Sequence, residues 1–193
     1  DKNVVENLSF SIKKGEQVTL SGRTGAGKST IFKLLLGLYE PGKGSVSIAG
    51  QKVTAIPDSE KRKIYGYVEQ TFHMVPGTVK DQITLYDTSI TDEDVIEAAK
   101  TAGLDDAIME LENGYDTICK PEDFSQGQWQ LLSIARAAAA KPRLLLLDEI
   151  TANLDADTEK NVLEALNRVS ENRTVISISH RTNARTGRII EIA

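Results

Sequence analysis

The sequence predicts an α/β domain: a mainly parallel sheet with a helical subdomain inserted into it. Three observations carry this. Near the start a strand pattern, a glycine-rich loop and a helix pattern follow one another in "QVTLSGRTGAGKSTIFKLLLGL". From about Thr78 to Ala140 the patterns are helical. Beyond that, "RLLLLDE" and "RTVISISH" are continuous apolar runs, as expected of strands covered on both faces. The pieces flanking the helical block would share one sheet, joined by right-handed crossovers. The expected organisation is a single domain, 1–193, with a core of about 1–72 and 142–193 and a helical subdomain of about 73–141.

Each element has its own signal. Val4 to Ile12 alternates apolar and polar residues and reads as a strand, and Gly15 marks a turn. "QVTLSG" reads as a second strand, and "KSTIFKLLLGL" as a helix with Gly37 near its end. "SVSIAG" and "IYGYVEQ" are short strands. "TVKDQITLY", "TDEDVIEAAKTAG" and "DDAIMELENG" read as helices. Thr91 is a fitting N-cap, with acids in the first turn and Gly103 just past the end. A further helix begins after Asp123, where Ser125-x-x-Gln128 has the form of a capping box. In "DADTEKNVLEALNRV", Val162, Leu163, Leu166 and Val169 make one helical face. "GRIIEIA" is a final strand.

Composition narrows the function classes. The 193 residues are 40% hydrophobic and 26% charged, ordinary for a globular protein. The net charge of −5 argues against a mainly electrostatic nucleic-acid binder, and no nucleic-acid partner is expected. Cys119 is the single cysteine, so no disulfide forms within the chain, which fits a reducing compartment. It reads as a small, partly buried residue. No apolar run approaches the ~20 residues of a membrane span, and the N-terminus does not read as a signal peptide.

The most specific signal is "GRTGAGKST". Gly22-x-x-x-x-Gly27-Lys28-Ser29 fits the phosphate-binding P-loop pattern in full, between a strand and a helix. Glycines let backbone N–H groups turn inward around a phosphate. Lys28 suits the β and γ phosphates, Ser29 a Mg²⁺ ion, and Thr30 an α-phosphate contact. The plainer reading is a glycine-rich turn that caps a helix. ATP is favoured over GTP because no Asn-Lys-x-Asp segment is present. Asp148 and Glu149 end the apolar run Leu144 to Leu147, placing carboxylates at the ligand-binding edge of an open sheet. Asp148 can hold Mg²⁺, directly or through water, and Glu149 can orient or deprotonate an attacking water. On their own they could simply end a strand at solvent.

These motifs, in this order, resemble the ATP-binding domain of the ATP-binding-cassette (ABC) transporter superfamily over nearly the whole chain. "GRTGAGKST" resembles its Walker A loop, "YVEQ" its Q-loop, "FSQGQ" its signature, "LLLLDE" its Walker B, "TANLD" its D-loop and "SISHR" its switch histidine. The resemblance implies the ABC ATPase fold on a P-loop NTPase core. It implies a second such domain, in a homodimer or a heterodimer, paired head to tail around two ATP molecules. Gly22, Arg23, Thr24, Gly25, Ala26, Gly27, Lys28, Ser29 and Thr30 would cradle one ATP. Ser29, Gln70 and Asp148 would hold Mg²⁺. Glu149 would be the general base, with Gln70 and His180 at the γ-phosphate. Ser125, Gly127 and Gln128 would face the partner's ATP, and Asp155 would couple the two sites. Taken singly, Gln70 could be a strand-end amide, Asp155 an ordinary N-cap, and His180 a hydrogen-bonded strand-end histidine.

The resemblance further implies an exporter. "TFHMVPGTVKDQI" and "TDEDVIEAAKTAGLDDAIMELENGYDT" are similar to exporter segments, and His73, Met74 and Val75 are candidate contacts with membrane domains. They could instead pack inside the helical subdomain. Transmembrane domains are expected N-terminal on the same chain, with this domain on the cytoplasmic face of a membrane. The rival is a soluble ABC-type ATPase of the translation or DNA-maintenance class. Three features depart from the family pattern. An adenine-stacking aromatic would lie upstream of Asp1. "ICKPED" replaces a Gly-Glu-Arg-Gly-like run, with Glu122 as its acid. Gln126 stands where the signature usually has glycine.

Overall fold

The computed structural model describes residues 5–151, 154–179 and 187–192. Its strands are β1 (Gln17–Ser21), β2 (Ser47–Ile48), β3 (Gln51–Lys52), β4 (Tyr65–Val68), β5 (Leu144–Asp148), β6 (Thr174–Ile178) and β7 (Arg188–Glu191). Five of them form one sheet in the order β4-β5-β6-β1-β7, with every neighbouring pair parallel. β2 and β3 make a separate antiparallel hairpin. The helices are α1 (Lys28–Leu35), α2 (Asp58–Ile64), α3 (Val79–Thr84), α4 (Asp92–Ala102), α5 (Asp105–Met109), α6 (Gln126–Ala139) and α7 (Ala156–Ser170).

The period of two along β5 explains the two-sided core. Leu144 and Leu146 pack on one face with Val18, Leu20 and, from α1, Ile31 and Phe32. Leu145 and Leu147 pack on the other with α4, α6 and α7, through residues such as Ala99, Ile134 and Val162. All four leucines are buried, each worth about 1.5–3 kcal/mol. The second cluster runs without a break from the helical block onto the sheet. Polar ties reinforce it. Arg62 of α2 donates to the carbonyls of Ile83 and Arg136, both at 3.1 Å. Arg136 of α6 donates to Gln82 O at 2.5 Å and His73 O at 3.0 Å, and its guanidinium lies 4.0 Å from the Phe72 ring centre.

One expected strand is absent. Residues 5–12 are not in a strand, and Val4 lies outside the described residues. Val5, Leu8, Phe10 and Ile12 pack against the α1-side core instead. The alternation therefore records one face laid on the core, without a ladder of hydrogen bonds beside it. A hydrogen bond from Arg188 Nη2 to Ser11 O at 2.6 Å ties this segment to β7. α2 was not foreseen from the periodicity. Pro57, the acids Asp58 and Glu60, and the bases Lys61 to Lys63 were the available signal.

Candidate nucleotide site

Because the sheet is parallel, the carboxyl ends of β1, β4, β5 and β6 share one edge. The register pairs Leu20 with Ile178, Asp148 with Ile178, and Val68 with Leu147. The glycine-rich loop, Asp148, Glu149 and Gln70 are thus gathered at one place by topology.

The loop runs from β1 into α1. Gly22 is pressed against the last described residues: a Cβ there would lie 2.4 Å from Ile192 O. Gly27 is the N-cap of α1 in the left-handed region, φ 93°, and no side chain caps the helix. Its first N–H groups form an anion-binding end. Lys28 is buried, with its ammonium 2.8 Å from Gly22 O and 3.0 Å from Arg23 O. The cation is thereby folded over the loop. Arg23, Thr24, Gly25 and Ser29 are exposed, and Ala26 and Thr30 are half-buried.

Asp148 ends β5 half-buried, and Tyr67 donates its hydroxyl to Asp148 Oδ2 at 3.2 Å. Burial pushes the Asp148 carboxyl above its usual range; the Tyr67 bond opposes this, Glu149 and Glu69 add to it, and Lys28 opposes it. A carboxylate crowded by two further acids suits a divalent cation. Tyr67 packs edge-on against Phe32 of α1, 6.2 Å between ring centres, and burial raises its phenol. Glu149 has φ 48°, a strained value for a glutamate, and its N–H donates to Ile178 O at 3.0 Å. Gln70 is exposed, and its carbonyl accepts from Gln130 Nε2 of α6 at 2.7 Å.

A second centre lies where α6 and α7 begin. Ser125 caps α6 as a full capping box: Gln128 N to Ser125 Oγ at 3.3 Å, and Ser125 N to Gln128 Oε1 at 2.8 Å. Gln126 is exposed and Gly127 buried. Asp155 caps α7, accepting from Thr158 N at 3.0 Å and Thr158 Oγ1 at 2.6 Å. Its carboxyl is held below the usual range, chiefly by the Thr158 hydroxyl. The plain N-cap reading of Asp155 is therefore correct as geometry. His180 lies outside the described residues, as do Ala152 and Asn153 of the D-loop segment.

His73 and Met74 are exposed while Val75 is half-buried, its backbone N–H and C=O both bonded to the Gln82 side chain. Cys119 is buried, and burial pushes its thiol up to about 11, as suits an inert residue. Tyr67, Gln130 and Thr158 were missed from sequence. Tyr67 had a readable signal: it shares a strand face with Tyr65, and its register partner Leu146 is two residues before Asp148.

The ABC transporter family model matches residues 5–152. The uncharacterized ABC transporter ATP-binding protein YfiC of Bacillus subtilis (strain 168) is 40% identical over 184 residues, covering 94% of this chain and 30% of that protein. The ABC multidrug transporter MDR2 of Trichophyton tonsurans is 42% identical over 184 residues, covering 93% of this chain and 14% of that protein. A bacterial Atm1-family ABC exporter, solved with ATP bound, superimposes with a TM-score of 0.86 at 33% identity, over 100% of this chain and 34% of that chain. The chain thus spans under a third of the length of these curated relatives. The family model covers more than half of this chain, which therefore belongs to the ABC transporter family, as an ATP-binding domain.

Proposed function

We propose that this domain is the ATP-hydrolysing engine of an ABC exporter, working as one half of a pair that closes around two ATP molecules. The observation that carries this is the two-centre arrangement. The P-loop with Asp148, Glu149 and Gln70 forms one centre, and the starts of α6 and α7 form the other. The ATP-bound exporter of similar fold supports the transport setting.

In this reading Gly22 to Thr30 wrap the phosphates of one ATP, and Lys28 swings from its loop carbonyls onto the β and γ oxygens. Ser29, Gln70 and Asp148 would hold Mg²⁺, which would supply positive charge beside the phosphate oxygens. Glu149 takes the proton of the water that attacks the γ phosphorus, and His180 supports the oxygens that gain charge. Ser125, Gly127 and Gln128 present α6 to the partner's ATP. Loss of the γ-phosphate removes contacts made only in the closed pair, so the pair reopens. His73 and Met74, exposed beside the Q-loop, face the membrane domains, which lie N-terminal on the same chain. The domain works at the cytoplasmic face, as a core of about 1–72 and 142–193 carrying a helical subdomain of about 73–141. Two half-sites in different molecules make turnover bimolecular. Steady-state ATPase activity per molecule of the isolated domain is expected to rise with its concentration until dimers saturate. Activity per molecule that stays flat across a hundredfold dilution, with the protein monomeric throughout, would contradict the reading.

A further inference from the structure

Gly127 and Gln126 stand side by side in the signature segment, yet the structure treats them oppositely. Gln126 carries a long side chain and is exposed, so a large residue is tolerated there. Gly127 is buried, and a Cβ built on it would lie 2.3 Å from Thr158 Cγ2. That methyl belongs to α7 of the same chain. It is not a loosely held group. Asp155 accepts both the Thr158 hydroxyl, at 2.6 Å, and the Thr158 N–H, at 3.0 Å. Turning the threonine side chain to make room would break the hydroxyl bond.

We propose that Gly127 is small because the Thr158 methyl seats on it, and that Thr158 is the positioning residue that locks the signature helix to the Asp155-capped start of α7. The two elements that a partner's nucleotide would meet then move as one body. The glycine is demanded in cis, by Thr158, rather than by the approach of a phosphate. This rests on the head-to-tail reading of the function.

The remaining neighbours of a Cβ at Gly127 would be Thr158 Cβ at 3.6 Å and Oγ1 at 3.7 Å, both ordinary contacts. Serine at 158 removes only the clashing methyl and keeps the hydroxyl for Asp155. The test is a double-mutant cycle in a Glu149→Gln background, reading ATP-dependent dimerisation by light scattering and ATP affinity of the dilute monomer by equilibrium binding. Gly127→Ala is expected to weaken dimerisation at least tenfold with monomer ATP affinity within twofold. Thr158→Ser alone is expected to change dimerisation less than threefold. Gly127→Ala with Thr158→Ser is expected to restore it to within threefold of the parent. A double variant as defective as Gly127→Ala would overturn the proposal, because the added methyl would then be excluded by something other than Thr158. If the Glu149→Gln parent itself fails to dimerise with ATP, the paired-domain reading fails, and this proposal with it.

Discussion

At the scale of single residues, two hydroxyls touch the proposed site. The Tyr67 phenol donates to Asp148, the carboxylate assigned to Mg²⁺. Tyr67→Phe removes that donor while keeping the ring against Phe32. It is expected to lower stability by about 1 kcal/mol and to raise the Mg²⁺ concentration for half-maximal ATPase several-fold. An unchanged Mg²⁺ requirement would argue that Tyr67 serves packing alone. Ser125 caps α6 and, in the proposed function, also faces the partner's ATP. Ser125→Ala should cost about 1 kcal/mol in unfolding free energy. It should reduce steady-state hydrolysis while monomer ATP affinity stays within twofold. Equal collapse of monomer binding would place the signature at its own chain's nucleotide. The capping box was legible in the sequence because caps are local. Tyr67 was harder to read, because its bond to Asp148 spans 81 residues and depends on the β4-β5 register.

At the scale of elements, α4 shows how electrostatics hold the helical block. Thr91 and Asp94 form a capping box, and Asp94 also meets Lys141 at 2.9 Å, just beyond α6. The Lys141 ammonium, then the Thr91 N–H and hydroxyl, hold Asp94 down to about 2. A depressed carboxylate stabilises the fold above its ordinary range, and this is lost as pH falls through about 2. The Tm gap between wild type and Asp94→Asn should be largest near neutral pH and close between about pH 4 and 2. The pair is largely at the surface, so salt should shrink the gap too. A gap that does not change with pH would refute the charge assignment. Helices with caps and strong periods, such as α4, α6 and α7, were visible in advance. The stretch 5–12 was misjudged because alternation reports a buried face and says nothing of a hydrogen-bonded neighbour.

At the scale of the whole molecule, the parallel sheet explains how residues far apart in sequence come to lie at one edge. All five strands end on one edge, so a loop after β1, a glutamine after β4 and two acids at the end of β5 are brought to one place. The glycine-rich loop, Gln70 and the acidic pair could be read from sequence, and their convergence follows from the strand order. What sequence did not disclose is the second centre's internal lock between Gly127 and Thr158, since steric contact between two helices has no local signature.

In the proposed function ATP joins two such domains and hydrolysis at Glu149 releases them. The measurement is the mass of Glu149→Gln in solution, with and without ATP, beside wild type. The variant is expected to bind ATP, to accumulate as an ATP-bound dimer and to turn over at least a hundredfold more slowly. A variant that stays monomeric with ATP bound, or hydrolyses ATP near the wild-type rate, would contradict it.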